Sequence, residues 1–126
     1  MAGELILIVE DNEKNRKLER DVLQFHGYRT AEAETGEEGV RLAREAAPAL
    51  ILMDIQLPGM SGIDALKALR AAPATARIPV VAITASVMQQ DRQQIMSAGF
   101  DGFIEKPVNL RNLLDTVQQA LRTEKA

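Results

Sequence analysis

LILMDIQLPGMSG, residues 50–62, runs four apolar side chains into Asp54 and then into a loop rich in Pro and Gly. A short continuous apolar run bounded by turn residues reads as a strand buried on both faces, as in a parallel sheet. The same pattern recurs along the chain. LILIV (5–9) ends in Glu10 and Asp11, VVAI (80–83) in Thr84, and GFIE (102–105) in Lys106. In an open parallel sheet the carboxyl ends of the strands share one rim, so these residues converge although they lie far apart in sequence. Three acids, a hydroxyl and an amine then meet. Neighbouring carboxylates raise one another's pKa unless a cation sits among them, and a divalent metal with a phosphoryl group would satisfy every member of the set.

Outward from these runs, the segments between them read as helices. Asp11 and Asn12 supply a helix start before Glu13. Leu18, Val22 and Phe25 recur at helical spacing as its apolar face, with Lys14, Arg16, Lys17 and Arg20 on other faces and Gly27 as the stop. Residues 28–33 form a second strand. Thr35 with Glu38 makes a capping-box pattern opening a helix through Ala46, and Ser61 with Asp64 caps the next, in which Leu66 and Leu69 face inward. A Gln-rich helix spans about 87–98 and stops at Gly99. Leu110, Leu113, Leu114, Val117 and Leu121 mark a last amphipathic helix ending near Arg122. Five strands alternating with five helices predict an α/β, doubly wound parallel sheet with right-handed crossovers, in the flavodoxin-like order 2-1-3-4-5. Its switch point falls between strands one and three, where the acids are.

Composition bounds the function. The 126 residues fit one domain with an ordered core of about 4–122, and no room is expected for an output domain. At 46% hydrophobic and 26% charged the chain is globular, and 3% aromatics imply an aliphatic core. A net charge of −3 disfavours direct nucleic-acid binding. The absence of cysteine excludes disulfide and thiol chemistry, and His26 alone cannot build a zinc site without unusual carboxylate help. With no basic, apolar leader and no run of transmembrane length, the expectation is a soluble cytoplasmic protein without membrane contact.

IVEDN, LILMDIQLPGMSG, IPVVAITAS and IEKP, in this order and spacing, resemble the receiver domain of bacterial two-component response regulators, across essentially the whole chain. Within that family the chain is similar both to stand-alone regulators and to receivers attached to hybrid kinases. The resemblance implies that Asp54 is the phosphoacceptor, forming an acyl phosphate. Alone, a strand-end Asp reads better as a capping or ion-paired residue. It further implies a magnesium ion (Mg2+) held by Asp11, Asp54 and the backbone carbonyl of Gln56, with Glu10 reaching it through water. Thr84 corresponds to the switch hydroxyl, Lys106 to the lysine that pairs with Asp54 and then with the phosphoryl group, and Pro107 to a cis-proline. Phe103 occupies the aromatic switch position, with a phenyl ring where many relatives carry tyrosine; alone it reads as a core residue. Gln56 and Ser86 occupy positions that tune water access to the acyl phosphate, and Ala85 leaves room for a phosphodonor.

The implied partners are a histidine kinase or a histidine phosphotransfer protein and a downstream regulatory protein, with the chain a monomer or weak dimer. The face around Asn15, Leu18 and Val22 resembles the kinase-docking edge. The Gln-rich segment reads as a solvated face or as a partner surface. A phosphorelay intermediate or phosphate sink remains an alternative. A phosphohydrolase with an Asp nucleophile is disfavoured, because Gln56 stands where a second acid is needed and no cap encloses a substrate. No external substrate turnover is expected, only magnesium-dependent self-phosphorylation and its reversal. A nucleotide-binding glycine motif is missing. His26, beside Gly27 at a helix end, reads as a dipole-favoured cap rather than a phosphorylation site.

Overall fold

The computed structural model describes residues 3–85 and 89–125. Five strands alternate with five helices: β1 (Leu5–Val9), α1 (Glu13–Phe25), β2 (Arg29–Ala33), α2 (Gly36–Ala46), β3 (Leu50–Asp54), α3 (Gly62–Ala71), β4 (Val80–Thr84), α4 (Gln89–Ala98), β5 (Gly102–Glu105) and α5 (Leu110–Lys125). The strands form one parallel sheet in the order β2-β1-β3-β4-β5, the doubly wound order expected from the sequence. Strands β3 and β4 each run one residue further than their apolar residues, carrying Asp54 and Thr84 inside the ladder. Helix α5 continues past Arg122 to Lys125. Ser86 and the expected start of the fourth helix at Val87 lie outside the described residues.

Side chains alternate across the sheet and build two cores. Leu7, Val9, Ile51, Met53, Val80 and Ala82 pack under α2, α3 and α4, while Ile6, Ile8, Leu50, Leu52, Val81 and Ile83 pack under α1 and α5. The same period of two sorts the strand ends. Asp54 follows Leu50 and Leu52 toward the α1/α5 face, and Thr84 follows Val80 and Ala82 toward the α3/α4 face.

Local chemistry fixes the helix ends. Asn12, Thr35 and Ser61 each accept a hydrogen bond from the backbone N–H three residues on, at 3.0, 3.1 and 3.1 Å. The Glu38 carboxylate returns to the N–H of Glu34, at 2.9 Å, one residue before the cap. Gly27 and Gly99 end α1 and α4 with φ of 92° and 107°. Gly62 matters for the site: its N–H donates to the Ile55 carbonyl at 3.0 Å, and a Cβ there would collide with the Asp54 carbonyl oxygen. The loop after β3 therefore lies directly against the Asp54 backbone.

Helix α1 departs from the sequence expectation. Glu19 and Leu23 face the sheet, fully buried, whereas Leu18 is 39% and Phe25 86% exposed, and Val22 is half-buried. Polar anchors set this rotation. Arg16, Arg20 and Gln24, four residues apart, reach β2 through Glu32 at 3.1 and 3.1 Å and Thr30 at 2.8 Å, which turns positions 19 and 23 inward. Leu110 likewise lies 51% exposed at the start of α5, ahead of the buried Leu113 and Val117.

Neither carboxylate oxygen of Glu19 has a hydrogen-bond partner among the described residues. Burial, then the charges of Glu10 and Asp54, push its pKa from 4.5 up to about 8, against an opposing pull from Lys106. The folded chain thus keeps a proton that the unfolded chain releases. The stability it contributes is full below about pH 4.5 and is lost as pH rises toward 8, by up to about 1.4 kcal/mol per pH unit. Urea denaturation of Glu19→Leu should show a gain of about 1–3 kcal/mol at pH 8 and a shallower pH slope than the parent. An unchanged slope would contradict a buried, protonated Glu19.

Candidate functional site

The site forms where β1 and β3 end and the chain leaves β5. Glu10 is fully buried and anchored at several atoms. Its N–H donates to the Ala33 carbonyl at 3.0 Å, extending the β1–β2 ladder. Its carbonyl accepts from Arg16 Nη1 at 2.9 Å, and its Oε2 from the Asn12 N–H at 3.1 Å. The other oxygen, Oε1, has no hydrogen-bond partner among the described residues and lies 3.4 Å from Lys106 Nζ. Asp11, the next residue, is exposed at the rim.

Asp54, only 2% exposed, has both oxygens engaged. Oδ1 accepts from the Gln56 N–H at 2.9 Å, and Oδ2 from Lys106 Nζ at 2.9 Å. Lys106 is tied to β4 in turn, since its N–H donates to the Thr84 carbonyl at 2.8 Å. The Lys106–Pro107 peptide bond is cis. One ammonium thus serves two buried carboxylates arriving from different strands.

The charge balance shows in the titration. Burial first, then the neighbouring Asp54 carboxylate, push Glu10 from 4.5 up to about 7; the Asn12 N–H and Lys106 oppose this. Burial pulls Lys106 down, but Asp54 and Glu10 outweigh it and hold the ammonium above its ordinary value. One carboxylate oxygen from each of Glu10, Asp11 and Asp54 fits within a 4.8 Å cluster. Hard oxygen donors, a surplus of negative charge and a Glu10 oxygen ion-paired but not hydrogen-bonded suit a magnesium ion, which needs few protein ligands and keeps several waters.

The family model of the response regulator receiver domain matches residues 6–118. The chain belongs to this family. It is 42% identical over 116 residues to the polar-differentiation response regulator DivK of Brucella ovis, covering 92% of this chain and 94% of that one. Among solved structures, the receiver domain of the sensor histidine kinase PA1611 from Pseudomonas aeruginosa superposes with a TM-score of 0.89 and 34% identity, covering 96% of this chain and 99% of its own. That structure is described with a magnesium ion coordinated in its active-site cleft. The chemotaxis protein CheY4 of Vibrio cholerae matches with a TM-score of 0.88 and 28% identity over 94% of this chain and 99% of that one. The protein is thus a receiver of two-component signalling, resembling the stand-alone regulator DivK.

The remaining receiver positions divide between the two faces. Thr84 is buried, and Phe103 pairs with Ala82 across the β4–β5 ladder on the α3/α4 side. Phe103 is half-buried, with the Arg92 guanidinium of α4 5.0 Å from its ring centroid. Gln56 is exposed beside the site, and Gln93 and Gln94 are exposed on α4. His26 caps the far end of α1, about 20 Å from the helix start at 1.5 Å per residue, and so stands apart from the acids. Two residues escaped the sequence reading. Arg16 scanned as one of several solvated cations, and Glu19 broke no visible pattern, although a charged residue four before the buried Leu23 was the available signal.

Magnesium should stabilise the folded chain, by about 2.7 kcal/mol at a hundredfold excess over its Kd. The gain should vanish on chelation and in Asp11→Ala. A denaturation midpoint indifferent to magnesium would count against the metal site.

Proposed function

We propose that this receiver accepts a phosphoryl group on Asp54 from the phosphohistidine of a histidine kinase or histidine phosphotransfer protein, and that a downstream regulatory protein reads the modified form. The observation that carries this reading is the placement of Asp54, buried between other acids with Lys106 Nζ 2.9 Å from its Oδ2. A carboxylate oxygen of Asp54 bonds to phosphorus as the phosphohistidine N–P bond breaks. The electron pair of that bond leaves with the imidazole nitrogen, which takes up a proton. Lys106, already at hydrogen-bonding distance, transfers its ion pair to a phosphoryl oxygen. The Thr84 hydroxyl and Phe103 then respond on the α4 side, which biases a two-state surface. Asp11, Asp54 and the Gln56 carbonyl would hold magnesium, Glu10 reaching it through water, and the bound ion supplies positive charge to offset the phosphoryl oxygens.

The 116-residue match that spans 94% of the Brucella regulator supports a stand-alone receiver of residues 1–126, whose output is protein binding rather than turnover of an external substrate. A cytoplasmic location fits this role, and no helix among the described residues is long and apolar enough to cross a membrane.

Intact-mass measurement after incubation with acetyl phosphate and magnesium should show one phosphoryl adduct, lost on chelation and in Asp54→Asn. No adduct at saturating donor would sink the proposal. Thr84→Ala should still take up phosphate but lose the difference in partner capture between modified and unmodified forms. Equal capture by both wild-type forms would favour a phosphate shuttle or sink.

A further inference from the structure

Arg16 lies on α1, yet three of its contacts bear on the strand ends. Its Nη1 donates to the Glu10 carbonyl at 2.9 Å, and its Nε to Glu32 Oε1 on β2 at 3.1 Å. Glu34 Oε1 stands 3.9 Å from the same Nη1. Glu32 is held from its other side by Arg20 Nη1, 3.1 Å from Oε2. The Arg16 side chain is only 14% exposed, so this is a partly buried, two-pronged strut and not a solvated charge.

The bonded carbonyl belongs to the peptide unit that joins Glu10 to Asp11. Past the last β1 rung that carbonyl has no ladder partner, and a strand-end carbonyl left to water is free to tilt. Arg16 fixes its direction and therefore the direction in which the Asp11 backbone leaves the strand. Glu10 is held independently, through Ala33 and Asn12. Asp11, exposed, lies between this peptide plane and the next, whose Asn12 N–H is held by Glu10 Oε2.

We propose that Arg16, braced by Glu32, is a positioning residue for the magnesium site: it orients the Glu10–Asp11 peptide and so the approach of Asp11 to Asp54. This rests on the receiver chemistry proposed above and extends it to a residue outside the acid cluster. The alternative role, a cation that merely neutralises nearby acids, predicts the opposite sign. Removing a positive charge near the acid cluster strengthens the binding of another cation, whereas removing a strut that aims a ligand weakens it.

The test is a magnesium titration of the full chain by calorimetry, with amide NMR shifts at Asp11 and Gln56 as a second readout. Arg16→Ala should bind magnesium about tenfold more weakly. Its phosphoryl uptake from acetyl phosphate should be slow at low magnesium and return close to wild type at saturating magnesium. Arg16→Lys, which keeps the charge but not the fork, should also bind more weakly than wild type, and it decides the matter if Arg16→Ala does not fold. Magnesium binding as tight as wild type, or tighter, in the folded variants overturns the strut. Failure of the wild-type protein to bind magnesium would instead overturn the underlying metal site, and this inference with it.

Discussion

The interaction on which the rest of the site depends is the bridge from Lys106 Nζ to Asp54, 2.9 Å away, and Glu10, 3.4 Å away. Two carboxylates drawn out of water by the strand ends would repel each other and lose hydration, which is why breaking such a buried pair costs far more than a surface ion pair. The chain answers with one ammonium for two acids, plus backbone N–H groups from Asn12 and Gln56. The compensation is incomplete, as the raised Glu10 shows, with an oxygen that faces Lys106 but makes no hydrogen bond to the described residues. A rim short of positive charge suits a cation, and the proposed function makes that cation the seat of a phosphoryl group. Stability is given up locally so that binding can recover it.

The sheet makes this arrangement from remote pieces of sequence. Parallel pairing brings the ends of β1, β3 and β4 level, and the N–H of Lys106 bonds back to β4 to complete the set. Side-chain alternation puts Asp54 on the face of α1 and α5, and Thr84 and Phe103 toward α4. Under the proposed function, a change at Asp54 would have to reach that opposite surface through the thickness of one sheet. Gly62 closes the loop after β3 against the Asp54 carbonyl, which confines the Gln56 N–H to the site.

Much of this was legible in the sequence because strands buried on both faces are written as unbroken apolar runs. LILIV, LILM and VVAI therefore announced their elements, their order and the residues at their exits. Caps at Thr35 and Ser61 were equally plain, and the Asp11–Asn12 pair marked the first helix start, which Asn12 caps, since a short polar side chain bonded three residues on is a local feature. The rotation of α1 was not. Leu18, Val22 and Phe25 make a regular stripe, but long-range bonds from Arg16, Arg20 and Gln24 to β2 turn it outward and bring Glu19 in. An amphipathic pattern reports which residues share a face. It does not report which face a distant strand will claim.

The central claim is that the buried acid beside Lys106 is the one that becomes phosphorylated. Reductive trapping tests it most directly: borohydride reduces an acyl phosphate to the alcohol, and peptide mass mapping then locates the altered side chain. The account predicts homoserine at position 54, formed only after treatment with phosphodonor and magnesium. Reduction at Glu10, Asp11 or any other acid, or none at all in protein carrying a phosphoryl adduct, would contradict it.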